Sequence, residues 1–108
     1  MTCNLLFICS KNKLRSPTAE QVFSTWQDVE CDCAGLAPDA NVVLSTEQLD
    51  WADIIFVMEK AHRAKLATKF KPYLKNKRVI VLNIPDNYKF MDPDLIAILK
   101  AKVPPHIR

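Results

Sequence analysis

The sequence predicts a three-layer α/β/α sandwich around a four-stranded parallel sheet, and three observations predict it. Short runs of consecutive apolar residues recur along the chain, as strands buried on both faces do. These runs alternate with segments of helical pattern, the order expected of an α/β fold with helices on both faces of the sheet. No linker, internal repeat or low-complexity tract divides the 108 residues, so residues 1–108 are read as a single domain.

Leu5-Leu6-Phe7-Ile8 is the first apolar run and predicts strand one. Ser16-Pro17 predicts the start of the first helix, with serine as N-cap and proline at the first helical position. Ala19, Val22, Phe23 and Trp26 then fall on one face at i, i+3, i+4, i+7 spacing. Val29-Glu30-Cys31-Asp32-Cys33-Ala34 alternates at period two, a half-exposed second strand, and Gly35, the only glycine, ends it. Cys31 and Cys33 share one face of that strand and read as small core residues rather than a redox or metal pair. Leu36 to Leu44 is irregular, with Pro38 as a breaker, and Ser45 or Thr46 caps a short helix. Asp53-Ile54-Ile55-Phe56-Val57-Met58 is strand three. Glu59 to Phe70 is helical in composition and closes at Pro72; its Lys60, His62, Arg63, Lys65 and Lys69 read as a solvated face. Lys75-Asn76-Lys77 is a basic turn, Arg78-Val79-Ile80-Val81-Leu82 is strand four, and Asn83 to Tyr88 leaves it as a loop. Asp92-Pro93 opens the last helix, with Asp92 as N-cap, Leu95, Ile96, Ile98 and Leu99 as its apolar face and Pro104-Pro105 as its stop.

Apolar residues make up 49% of the chain and charged residues 25%, the balance of a globular domain. A net charge of +3 suits an anionic substrate and is too weak and scattered for nucleic acid. No run approaches the length of a membrane helix, and the N-terminus carries neither a charged n-region nor an h-region of sufficient length. Four cysteines, Cys3, Cys9, Cys31 and Cys33, crowd the first third. These features predict a reduced, cytoplasmic protein, by default a monomer, without a disulfide framework. The two histidines stand apart from the cysteines in sequence, so neither a zinc site nor any other metal or cofactor is expected.

The segment between strand one and the first helix is Cys9-Ser10-Lys11-Asn12-Lys13-Leu14-Arg15, followed by Ser16. Backbone amides of such a loop can turn inward and cradle an anion, and the helix N-terminus adds partial positive charge. Arg15 can fork two hydrogen bonds onto two oxygens of a phosphate. Cys9 then lies on the loop floor, where the same amides favour the thiolate and Ser16 Oγ can donate to the sulfur. The combination is an anion cup with a nucleophile at its base, whose chemistry is attack of sulfur on phosphorus.

At these residues FICSKNKLRSPTAEQVF resembles the phosphate loop of the low-molecular-weight protein tyrosine phosphatases. The chain carries Lys11 where that family usually has glycine, and Leu14 where it often has a second cysteine. Asn12 is kept, and asparagine tolerates the left-handed conformation the loop needs. Val29 to Gly35, Asp50 to Arg63 and Arg78 to Tyr88 are similar to further segments of the family, so the likeness extends over most of the chain. The chain is shorter, and the region after Gly35, which supplies an aromatic wall of the family's cleft, has no clear replacement.

The resemblance implies a phosphatase acting on phosphate monoesters, phosphotyrosine foremost, through a phosphocysteine intermediate. Cys9 is then the nucleophile, and Arg15 with the amides of Ser10, Lys11, Asn12, Lys13, Leu14 and Arg15, and Ser16, binds the phosphate. The general acid is a carboxylate in the loop after strand four, Asp86, which Asn87 and Tyr88 follow where the family has proline and tyrosine; Asp92 is its rival. Tyr88 flanks the cleft and stacks on an aromatic substrate. Partners are a phosphorylated protein or a small phosphate ester, and inorganic phosphate or other oxyanions. Two other readings stand beside this one: a non-catalytic oxyanion-binding module, and an arsenate reductase, which needs relay cysteines that are absent after Cys33.

Overall fold

The computed structural model describes residues 2–107. Its elements run β1 (Cys3–Cys9), α1 (Arg15–Phe23), β2 (Val29–Gly35), α2 (Thr46–Trp51), β3 (Ile54–Val57), α3 (Lys60–Phe70), β4 (Arg78–Val81) and α4 (Pro93–Lys102), with 3-10 turns at Lys71–Tyr73 and Pro104–His106. The four strands form one sheet of order β2-β1-β3-β4. Each pairing is parallel, with Leu5 opposite Cys31 on one side and Ile54 on the other. The expected α/β/α sandwich is therefore the one observed.

The pleat sorts the apolar runs into two cores. Leu5, Phe7 and Cys9 face one side of β1, where Ala19 and Phe23 of α1 and Leu95 and Leu99 of α4 cover them. Leu6 and Ile8 face the other side, under Leu49 of α2 and Leu66 of α3. Phe7 lies at the centre of the first core, stacked between Phe23 at 5.8 Å and Phe56 at 5.3 Å. Such offset rings contribute about 0.5–1.5 kcal/mol beyond area burial. β1 is an interior strand, so its C-terminal end opens between those of its two neighbours, where α/β sheets bind ligands.

Three local expectations need correction. Ser16 is not the N-cap of α1: the helix begins at Arg15, Leu14 occupies the cap position, and no side chain caps it. The Ser16 hydroxyl is spent on Cys9 and Asn12 instead. Pro17 at the third helical position is tolerated because the N–H it lacks is one of the orphan donors of the first turn. Trp26 lies beyond the end of α1, 37% exposed, with its ring edge-on to Phe23. His62 is not on a solvated face but 3% exposed, because it turns toward β1. Asp92 is the N-cap of α4, its Oδ1 accepting from the Asp94 N–H at 2.9 Å. Ser45 caps α2 in a reciprocal box with Gln48.

Candidate active site

The loop from β1 to α1 is shaped from outside. The carbonyls of Cys9, Ser10 and Lys11 accept from the N–H groups of Leu36, Ala37 and Asn41 at 3.0, 2.9 and 3.0 Å. The Asn12 carbonyl accepts from Asn41 Nδ2 at 3.2 Å. The described chain contains no cis peptide, so each carbonyl held outward sends the following N–H the opposite way. The amides of Ser10, Lys11, Asn12 and Lys13 accordingly turn inward, and that of Asn12 donates to Cys9 Sγ at 3.2 Å. Inward amides at the mouth of a helix make an anion nest. Asn12 takes φ 56°, the left-handed conformation expected of it. Gly35 lets β2 approach this loop: a Cβ there would stand 2.6 Å from the Ser10 carbonyl oxygen and 3.1 Å from the Asn12 nitrogen.

Cys9, 3% exposed, forms the floor. Its Sγ lies 2.9 Å from Ser16 Oγ, which is in turn 2.9 Å from Asn12 Oδ1. One hydroxyl proton thus has two close acceptors, with the Ala34 carbonyl a longer third at 3.5 Å. With a thiol, S–H donates to Ser16 and Ser16 to Asn12; with a thiolate, the hydroxyl turns and donates to sulfur alongside the Asn12 amide.

Arg15, 2% exposed, is anchored through one nitrogen. Its Nη1 donates to Glu59 Oε2 at 2.6 Å and to the Ile84 carbonyl at 2.7 Å. Among the described residues Nε and Nη2 have no hydrogen-bond acceptor, yet no buried side-chain nitrogen or oxygen is left unpartnered. That edge of the guanidinium is therefore open, in the orientation for a bidentate contact with an oxyanion. Arg15 holds the Glu59 carboxyl below its usual range.

Asp86 Oδ1 lies 3.7 Å from Arg15 Nε. The loop that carries it is pinned at both ends. Leu82 and Ile84 N–H donate to the carbonyls of Val57 and Met58 at 2.9 and 2.8 Å, and Met91 N–H donates to Thr18 Oγ1 at 3.0 Å. Asp86, Cys9, Arg15, Lys11, Lys13 and Leu14 line one cavity of about 100 Å³. Tyr88 is half-buried against the core of Leu5 and Phe7 and is not among those lining residues. A more open depression of about 430 Å³, lined by Glu59, Lys60, Ala61, Asn83, Ile84 and Pro85, lies beyond the anchors of Arg15 and holds no nucleophile.

Two contributors were not assigned to the site from the sequence, although His62 could be considered there as a general acid. Glu59 stands just past β3, at the strand end where such sheets place their ligands, and that position was the available signal. His62 Nδ1 accepts from the Glu59 N–H at 3.1 Å, which puts the ring proton on Nε2, 2.9 Å from Ser10 Oγ. Burial first, and Arg15 second, push His62 below the ordinary imidazole value, so it supports Ser10 as a neutral ring. Cys31 and Cys33 stay thiols: burial pushes Cys31 up to about 12, and burial with Glu20, to which Cys33 Sγ donates at 3.3 Å, pushes Cys33 higher still.

No protein-family model and no curated protein matches this sequence. Solved structures do match. The tyrosine phosphatase Wzb from Escherichia coli K30, in complex with phosphate, superposes with a TM-score of 0.75 at 17% identity, over 94% of each chain. A YwlE mutant from Bacillus subtilis gives 0.73 at 19% identity, over 92% of this chain and 95% of that one. The YwlE arginine phosphatase from Geobacillus stearothermophilus gives 0.65 at 21% identity, over 93% of this chain and 82% of that one. With its parallel sheet in the order β2-β1-β3-β4 and its loop after β1, the chain has the fold of the low-molecular-weight tyrosine phosphatases.

Proposed function

We propose that the chain is a cysteine-dependent phosphatase that hydrolyses phosphate monoesters, phosphotyrosine foremost, through a phosphocysteine intermediate. The observation that carries this reading is the loop whose carbonyls are held outward over Cys9, so that its amides and the open edge of Arg15 converge above the sulfur. The phosphatases that share the fold lend it further support.

In the first step the Cys9 thiolate attacks phosphorus and the S–P bond forms as the bond to the ester oxygen breaks. Asp86 gives that oxygen its proton. The inward amides and the Nε–Nη2 edge of Arg15 hold the equatorial oxygens, where charge is spread in the transition state. In the second step Asp86, now a carboxylate, takes a proton from water as the water attacks phosphorus, and inorganic phosphate leaves with Cys9 restored. The guanidinium, amides and helix terminus supply the positive charge. We place the enzyme in a reducing cytoplasm as a monomer, where its four free cysteines stay out of disulfides.

The test is turnover of p-nitrophenyl phosphate at mildly acidic pH by wild type and Cys9→Ser. Wild type hydrolyses the ester; Cys9→Ser does not, yet still binds phosphate. Binding without turnover in wild type makes the protein a non-catalytic oxyanion binder, and turnover retained in Cys9→Ser removes the thiolate mechanism.

A further inference from the structure

Two lysines stand in the wall of the cup and are not needed to hold a phosphate, since the amides and Arg15 already do so. They are not equivalent. Lys11 Nζ is 2.7 Å from both carboxylate oxygens of Asp39 and is neutralised there. Lys13 has no ion-pair or hydrogen-bond partner for its side chain among the described residues, although it lines the same 100 Å³ cavity. Its charge reaches Asp39, whose carboxyl is held low by Lys11 chiefly and by Lys13 in part.

The place of that free ammonium gives it meaning. Cys9 attacks from the floor, so the leaving group exits through the mouth, past Lys13, Leu14 and Asp86. A ring in the mouth meets one apolar side chain, Leu14, and no aromatic residue lines the cavity. A cationic leaving group faces the like charge of Lys13. An anionic substituent, by contrast, meets an unpaired cation at the exposed rim of the cavity, whose ammonium can donate it a charge-assisted hydrogen bond.

We propose that Lys13 selects phosphate esters whose leaving group carries a second anionic group, a carboxylate or a further phosphate, close to the ester oxygen. The proposal deepens the phosphatase reading and rests on it for the identity of the leaving group, but its binding preference is measurable without turnover.

The experiment measures, by calorimetry on Cys9→Ser protein, the dissociation constants of phenyl phosphate and meta-carboxyphenyl phosphate. A second arm compares phosphotyrosine peptides with glutamate or alanine beside the phosphorylated residue. At low salt the carboxylate-bearing partner binds about two- to fivefold more tightly. That preference shrinks as ionic strength rises and falls to near unity when Lys13→Met or Lys13→Gln is added. A preference in the small ester points to a small anionic substrate; a preference confined to the peptides points to an acidic residue flanking the phosphorylated one. Equal binding within both pairs overturns the proposal, as does a preference that survives both lysine substitutions. If the preference holds while wild-type protein turns over neither ester, the phosphatase reading fails and the selection by Lys13 stands. If both esters are hydrolysed without preference, the reverse is true.

Discussion

Asp86 and Asp92 sit on one loop and serve different ends. Asp92 is occupied by the Asp94 amide, so Asp92→Ala should cost about 1 kcal/mol of stability, read from denaturant midpoints, with little change in rate. Asp86 has no such structural duty and lies beside Arg15 Nε. A proton donor matters most when the leaving group is poor. Asp86→Ala should therefore slow phosphotyrosine hydrolysis about 100-fold or more, and an ester of a very acidic alcohol much less. Equal losses on both esters would take the acid role from Asp86. His62 makes a separate prediction about stability. The unfolded chain protonates this ring near its ordinary value of 6.5, whereas the folded chain does so only at lower pH. Between the two values the unfolded state binds more protons, so stability is full above about pH 6.5 and falls as pH drops below it. Glu59, the partner of the ring, titrates below 4.5 and leaves this window to His62. His62→Gln keeps an acceptor for the Glu59 amide but cannot titrate, so its denaturant midpoint should change less between pH 7 and pH 5 than that of wild type. Equal pH dependence in the two proteins would mean the ring is not the buried neutral group described.

At the scale of elements, the phosphate loop is half of a structure whose other half is the segment from Gly35 to Asn41. The loop itself was legible: cysteine, left-handed asparagine, arginine and serine at that spacing, between an apolar run and a helix, name an anion cup. The segment that shapes it was not, because it acts mainly through backbone N–H groups, which every residue type but proline supplies. Gly35 was read as a strand end, and its second role depends on how closely β2 approaches Ser10, which no sequence pattern records. Ser16 was read both as a helix cap and as a donor to the Cys9 sulfur, and only the second role holds, because α1 starts one residue earlier and the hydroxyl faces Cys9. Gly35→Ala should force the strand and loop apart, costing about 1–3 kcal/mol of stability and weakening phosphate binding in the folded protein. Unchanged phosphate affinity and stability would show that the loop does not lean on β2.

At the scale of the whole molecule, the parallel sheet gathers groups that are remote in sequence. Cys9 ends β1, Glu59 follows β3 and Asp86 follows β4, and all three strand ends share one rim. Arg15 joins them, bonding to Glu59 and to the carbonyl of Ile84. The alternation of apolar runs and helices was enough to expect that rim. The strand order was not readable, because neither the apolar runs nor the half-exposed pattern of strand two says which strands are neighbours; without it, Glu59 and His62 looked like ordinary polar residues at a helix start. Catalysis at this rim requires a covalent intermediate on Cys9. The measurement that tests it most directly is rapid acid quench during turnover of p-nitrophenyl phosphate, followed by peptide mapping of the phosphorylated enzyme. Phosphate on the Cys9 peptide of wild type, accumulating in Asp86→Asn as hydrolysis of the intermediate slows, and absent from Cys9→Ser, is the predicted result. Turnover with phosphate on another side chain, or turnover in Cys9→Ser with no phosphorylated enzyme at all, would contradict it.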